Sequence, residues 1–164
     1  SRITNIFKKR ILKYLISGGV PVITGFQGIN SENRLTTLER GGSDSSAIMI
    51  AKFFNAEKCI IYTDVEGVYT TDPNFLKKAK KIKKISYEEM LEMSSLGAKV
   101  MQPASIQDAR LNKINIDVKS SFVKKSSNKT RSAVAPARAI PIGAPANKRV
   151  NKDPPRAHII NFLL

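Results

Sequence analysis

Apolar residues fall at helical spacing first. In RITNIFKKRILKYLIS (2–17), Ile3, Ile6, Phe7, Ile11 and Leu15, with Leu12 and Ile16 one turn on, make a broad stripe that predicts an amphipathic helix ended by Gly18 and Gly19. VPVITGF (20–26) is short, β-branched and largely apolar, the pattern of a buried strand. Residues 27–38 are polar, with Asn30–Asn33 as a turn between short strands. RGGSDSSAIMIAKFFNAE then predicts a loop running into a helix over about 43–55, and KCIIYT another buried strand.

A long polar loop, 64–76, follows that strand directly. SYEEMLEMSSLGAKV carries a helix over 86–94, with Ser86 as its cap and Glu89 three residues on to complete a capping box. Pro103 opens a further helix to about Leu111, and INIDVK (114–119) is a last strand. Alternating helices and apolar strands predict an α/β chain with a mostly parallel sheet covered by helices. Past residue 123 the periodicity ends: 124–135 is rich in Lys, Ser, Asn and Thr, and 136–158 scatters Pro, Gly and Ala. Two regions are therefore expected, an ordered one at 1–123 and a poorly ordered basic tail at 124–164. The closing HIINFLL is apolar but long enough only for a strand or an exposed end.

Charge changes this picture less than its size suggests. The net charge is +15 over 164 residues, which taken alone points to a nucleic-acid partner. Residues 124–164 hold nine Lys and Arg against one acid, however, while 1–123 hold nineteen against twelve. More than half of the excess is in the tail. The densest remaining cluster, KKAKKIKK (77–84), reads at least as well as a solvated lysine-rich linker, and it comes with no helix-turn-helix pattern, Cys/His finger or aromatic platform. A nucleic-acid partner is not expected. No apolar run nears the ~20 residues of a membrane span, and the opening SRITNIFKKR lacks the apolar stretch of a secretory signal, so no membrane partner is expected. The single Cys59 excludes an intramolecular disulfide and fits a reducing, cytoplasmic setting as a small buried hydrophobe.

Two stretches carry candidate chemistry. In RGGSDSS (40–46), glycines 41 and 42 permit a close backbone turn, and a helix starting at Ser43 would turn its unpaired amides toward the same space, favouring phosphate or carboxylate. Arg40 adds a planar fork for a carboxylate and Ser43 a hydroxyl. Asp44 stands where any acid stabilises a helix start, and Gly-Gly-Ser is common capping grammar, so pattern alone favours a structural role about two to one. In YTDVEGVYTTDP (62–73), Thr63 and Asp64 lie at a strand's carboxyl end, where open α/β sheets bind ligands, and Tyr69 offers a ring for packing against a base or ribose. Asp72-Pro73 reads equally as a turn, and Asp64 and Glu66 as solvated acids. Neither stretch is a P-loop, and GFQG is no dinucleotide fingerprint. Lys99 in LGAKV is either a snorkelling surface lysine or a cation aimed at phosphate.

His158, the lone histidine, lies in the tail, which argues against histidine triads and histidine metal clusters, so no residue is assigned to bind a metal directly. Acids near the pocket could hold Mg²⁺ through a nucleotide's phosphates. Tyr14, Met49, Met90 and Met93 fit helix-face packing, and Glu88, Glu89 and Glu92 one solvated helix face.

Taken in order, VPVITGFQGI (20–29), TTLERGGSDSSA (36–47), YTDVEGVYTTDP (62–73), ISYEEMLEMSSLGAKVMQP (85–103) and INIDVKSSF (114–122) resemble aspartate kinase, within the amino acid kinase superfamily, over roughly residues 10–122. The resemblance implies a three-layer αβα, carbamate kinase-like fold, here incomplete. It implies ATP and Mg²⁺ as cofactors and L-aspartate as substrate, phosphorylated on its side-chain carboxylate to 4-phospho-L-aspartate on the way to lysine, threonine and methionine. By position, Arg40 and Ser43 would bind aspartate, and Asp44 would act catalytically by orienting the family's lysine. Thr63, Asp64 and Tyr69 would hold the nucleoside, and Lys99 would meet its phosphates.

The family's KFGGTS pattern with that lysine has no counterpart in these 164 residues, nor has the substrate-binding glutamate. Glu39 replaces a usual glycine of TTLGRGG, and Asn74 an arginine that reaches the nucleotide in many relatives. The DEPGT-like turn and the paired regulatory ACT domains expected after Phe122 are also missing. The chain alone is therefore expected to be inactive, with a homodimer or a complementing N-terminal half as candidate partners. A basic nucleic-acid binder and a noncatalytic subunit that completes a partner are the competing readings.

Overall fold

The computed structural model describes residues 3–98 and 100–122, together with the backbone of 132–135. Ten elements follow in chain order: α1 (Lys8–Ile16), β1 (Gln27–Ile29), β2 (Leu35–Thr37), α2 (Gly42–Phe53), β3 (Cys59–Thr63), β4 (Lys84–Ser86), α3 (Tyr87–Ser95), α4 (Pro103–Asn112), β5 (Ile116–Ser120) and β6 (Ser132–Ala135). The main sheet runs β3-β5-β6-β4. Parallel pairing joins β3 to β5, with Ile61 opposite Val118, and β4 to β6, while β5 and β6 are antiparallel. The chain is α/β with a mostly parallel sheet, as its alternating pattern predicts.

The core lies between this sheet and helices α2, α3 and α4. Ile48 and Ala51 from α2, Ile61 from β3, Met90 from α3, Ile106 and Ala109 from α4, and Ile116 and Val118 from β5 are all essentially sealed from solvent. Fully burying each large aliphatic side chain contributes about 1.5–3 kcal/mol. Cys59 is buried as expected. Burial, with the nearby Asp44 charge as a smaller cause, pushes its thiol up to about 12, so it behaves as a hydrophobe. Tyr87 lies in the same core and donates its hydroxyl to the Ile114 carbonyl at 2.6 Å. Asp117, buried on β5, has Lys58 Nζ 3.4 Å away as its counter-ion.

Helix α3 starts as the sequence dictates. Ser86 Oγ accepts from the Glu89 amide at 3.1 Å and Glu89 Oε2 accepts from the Ser86 amide at 2.8 Å. These bonds stabilise the charged form of Glu89 and hold its carboxyl below the ordinary range. Met90 packs in the core and Met93 against it. Met49 is half-buried, and Tyr14 is exposed rather than packed.

Four expectations need correction. The predicted helix 2–17 is confined to Lys8–Ile16 and buries none of its residues, because nothing among the described residues covers its apolar stripe. Lys8 Nζ lies 5.8 Å from the centre of the Phe54 ring. VPVITGF is not a strand. Residues 19–25 alternate half-buried and exposed as a strand's would, yet no ladder partner stands beside them among the described residues, leaving Val20 79% and Val22 97% exposed. The pattern records a side-chain alternation; a strand also requires a neighbour to take its backbone hydrogen bonds. Two short strands escape the periodicity, β4 before α3 and β6 inside the supposed tail. At Ser132–Ala135 the sheet therefore extends past the boundary placed at 123; the rest of 124–164 lies outside the described residues.

Candidate functional site

Gly41 sets the entry to α2. Its φ of +80° is left-handed, and a Cβ there would stand 2.6 Å from both Cβ and Cγ of Gln102. Both the backbone conformation and the space require glycine. Ser105 Oγ donates to the Gly41 carbonyl at 3.3 Å. Gln102 is the N-cap residue of α4, so the amino-terminal ends of α2 and α4 meet at this point. Neither helix has a side-chain cap hydrogen bond. Two uncapped helix starts pointing into one region make it electropositive and suited to an anion.

Asp44, in the first turn of α2, is 5% exposed, and its Oδ1 has no hydrogen-bond partner among the described residues. Burial pushes its carboxyl from the ordinary 3.8 up to about 6. A first-turn acid serving only the helix dipole would remain in water, so burial without a partner favours a role toward something absent. Ser43 beside it is half-buried and Arg40 is exposed. Ser46, one turn on, accepts from the Phe26 amide at 3.2 Å and donates to the Gly42 carbonyl at 2.7 Å. This ties the end of the extended segment 19–26, where Phe26 has φ +65°, to the start of α2.

The second stretch follows β3 as expected. Thr63 Oγ1 donates to Asp64 Oδ1 at 3.1 Å, and the Thr63 carbonyl accepts from both the amide and hydroxyl of Ser121 beyond β5. Asp64 is exposed. Tyr69 is half-buried and donates to Glu66 Oε2 at 3.2 Å, and burial together with that acid raises its hydroxyl above the ordinary value. Asp72 Oδ1 accepts from the Asn74 amide at 2.8 Å, confirming a turn there. Lys99 lies outside the described residues.

The structure therefore joins Gly41, the residue before α2, to the start of α4, sets Thr63 and Asp64 at the end of β3, and places Tyr69 farther along the loop that follows, beside Glu66 and Lys81. Sequence reasoning missed Gln102, Ser105 and Ser46. Pro103 marked where α4 begins, but nothing local revealed which helix its end would meet.

Aspartokinase from Geobacillus stearothermophilus is 48% identical over 122 residues, covering 74% of this chain and 30% of that protein. Among solved structures, Escherichia coli aspartokinase III in complex with lysine and aspartate superposes with a TM-score of 0.67 at 37% identity, over 80% of this chain and 28% of the other. The same enzyme in complex with aspartate and ADP gives 0.67 at 36% identity, over 79% and 29%. The chain thus spans less than a third of the length of these aspartokinases. No helix among the described residues is long and apolar enough to cross a membrane. The amino acid kinase family profile matches residues 1–120, and with the α/β fold and the blocks running through both stretches, the chain belongs to the amino acid kinase family.

Proposed function

We propose that this chain is the nucleotide-binding part of an aspartate kinase, which transfers the γ-phosphoryl of ATP to the side-chain carboxylate of L-aspartate. The observation that carries the reading is Asp44, a buried carboxylate with an unpartnered oxygen at the meeting point of two uncapped helix starts. In this reading Arg40 and Ser43 bind the substrate aspartate, the arginine through its planar fork. Asp44 orients the cation that steadies the moving phosphoryl. Thr63, Asp64 and Tyr69 hold the nucleoside, and Lys99 meets the phosphates. A carboxylate oxygen of aspartate forms the new P–O bond as the bond to the β-phosphate oxygen breaks, and ADP leaves. The nucleophile is already an anion, so the protein's share is positioning and charge neutralisation. The aspartate and ADP bound by the Escherichia coli relative support this choice of ligands.

Mg²⁺ would arrive on the nucleotide's phosphates, a mode that needs few protein ligands, and would neutralise their charge. Among the described residues no three His, Cys, Asp or Glu side chains form a metal cluster, and Asp44 is the acid with a buried oxygen to spare near the helix starts. A protein of these 164 residues alone has no counterpart to the KFGGTS lysine and is expected to show no aspartate-dependent phosphoryl transfer. Turnover by the purified chain in a coupled ADP-release assay would overturn that expectation.

A second reading, that the chain completes a partner carrying the rest of the kinase domain, is favoured by the stripe of α1 and the segment 19–25, neither of which is covered among the described residues. Calorimetric titration with MgATP tests the nucleotide site in either case. Saturable binding, weakened at least tenfold by Asp64→Ala, is expected. A folded chain that binds no MgATP, or an Asp64→Ala variant that binds as well as the parent, would remove the basis for the assignment.

A further inference from the structure

We infer that Lys81 is a further nucleotide-contact residue, a cation placed beside Tyr69 to meet the phosphates of the bound nucleotide. The inference rests on the nucleotide reading above and adds a residue to it. In the sequence, Lys81 is one of six lysines in KKAKKIKK and nothing distinguishes it. The structure does. Residues 80–82 lie antiparallel against 68–70, with Tyr69 and Lys81 as bridge partners. The flanking hydrogen bonds run from the Ile82 amide to the Val68 carbonyl at 2.8 Å and from the Thr70 amide to the Lys80 carbonyl at 2.9 Å. Tyr69 and Lys81 are therefore a non-hydrogen-bonded antiparallel pair, the closer of the two kinds, with side chains on the same face.

The register then decides which way each side chain goes. Val68 is fully buried and Ile82 packs against the core, so this neighbouring pair points inward. Tyr69 and Lys81 occupy the opposite face. Lys81 is nonetheless half-buried, whereas Lys77, Lys78, Lys80, Lys83 and Lys84 are exposed. No acid forms an ion pair with Lys81 among the described residues; Glu66, the acid bound by Tyr69, accepts the phenolic hydroxyl instead. A half-buried lysine with no ion pair among the described residues, held by a backbone ladder opposite the ring proposed to pack on the nucleoside, is suited to an anion attached to that nucleoside. Lysine's compact charge on a four-carbon stem fits phosphate oxygens without the directional fork of arginine.

The test is calorimetric titration of the full chain with MgATP and separately with adenosine, for the parent, Lys81→Met, Lys81→Arg and Lys78→Met, each checked for folding by circular dichroism. Lys81→Met is expected to weaken MgATP binding about tenfold or more while leaving adenosine affinity unchanged. Lys81→Arg should retain most of the MgATP affinity, and Lys78→Met should change it less than about threefold. Equal losses for Lys78→Met and Lys81→Met would show a general field effect and overturn the inference, leaving the nucleotide reading intact. A parallel loss of adenosine affinity in Lys81→Met would likewise overturn it, by showing a role in holding the loop. A folded parent chain that binds neither ligand would overturn both.

Discussion

Replacing Asp44 by asparagine keeps the shape of the side chain and removes its ability to ionise. The carboxyl is ionised in water above 3.8 but in the folded chain only above about 6. At ~1.36 kcal/mol for each pH unit between those values, ionisation in the folded state costs about 3 kcal/mol more than in the unfolded chain. Desolvation is the cause, and the side chain is almost wholly buried, so solvent screening removes little of this. Because the folded pKa is the higher one, the folded state holds the proton more tightly between these values. The group's relative stabilisation is complete below 3.8 and lost as pH rises through about 6. Urea unfolding of the parent and Asp44→Asn chains at intervals from pH 3.5 to 8 isolates this group, since other carboxylates such as Glu89, whose pull has the opposite sign, cancel in the difference. Asp44→Asn should gain on the parent by about 2–3 kcal/mol across that range, most of it between pH 4 and 7. A difference flat to within ~0.5 kcal/mol would refute the reasoning and mean that the carboxylate has water or a cation as company in the folded chain.

Tyr87→Phe leaves the Ile114 carbonyl without its 2.6 Å donor inside the core, and should lower stability by about 1–2 kcal/mol in urea unfolding; no loss would mean that the carbonyl finds another donor. Gly41→Ala puts a methyl 2.6 Å from Gln102 at a φ of +80°, and should cost about 2 kcal/mol or more while separating the starts of α2 and α4. Thermal unfolding reads the cost, and a variant as stable as the parent would contradict the close approach of the two helices.

The capping box at Ser86 and Glu89, the turn at Asn30–Asn33 and the helix opened by Pro103 were all legible because each is decided by residues within a few positions of one another. The inward faces of β3 and β5 were legible too, since continuous apolar runs require burial whatever the partner. What stayed hidden depends on distant partners. Segment 20–25 carries the same apolar signal as β3, yet among the described residues only β3 of the two has a ladder neighbour. β4 is three residues long and leans on β6, a strand within a stretch whose composition suggested none. The candidate site divides in the same way. RGGSD and YTD stand out by composition, whereas the contact of Gly41 with Gln102, some sixty positions away, and the cross-strand position of Lys81 are properties of register and packing.

Not one described residue before Gly42 is buried. The cooperative folding unit of this chain therefore begins at α2, and the segment before it has its own, much lower, free energy of opening. Amide exchange should divide accordingly: protons of α1 exchange within the time of local fraying, while those of β3 and β5 wait for global unfolding. The Phe26 amide, bonded to Ser46 Oγ, ties the segment to the slow unit. A urea transition of the chain accordingly reports on α2 onward, and its slope should be that of a protein several tens of residues shorter than the sequence.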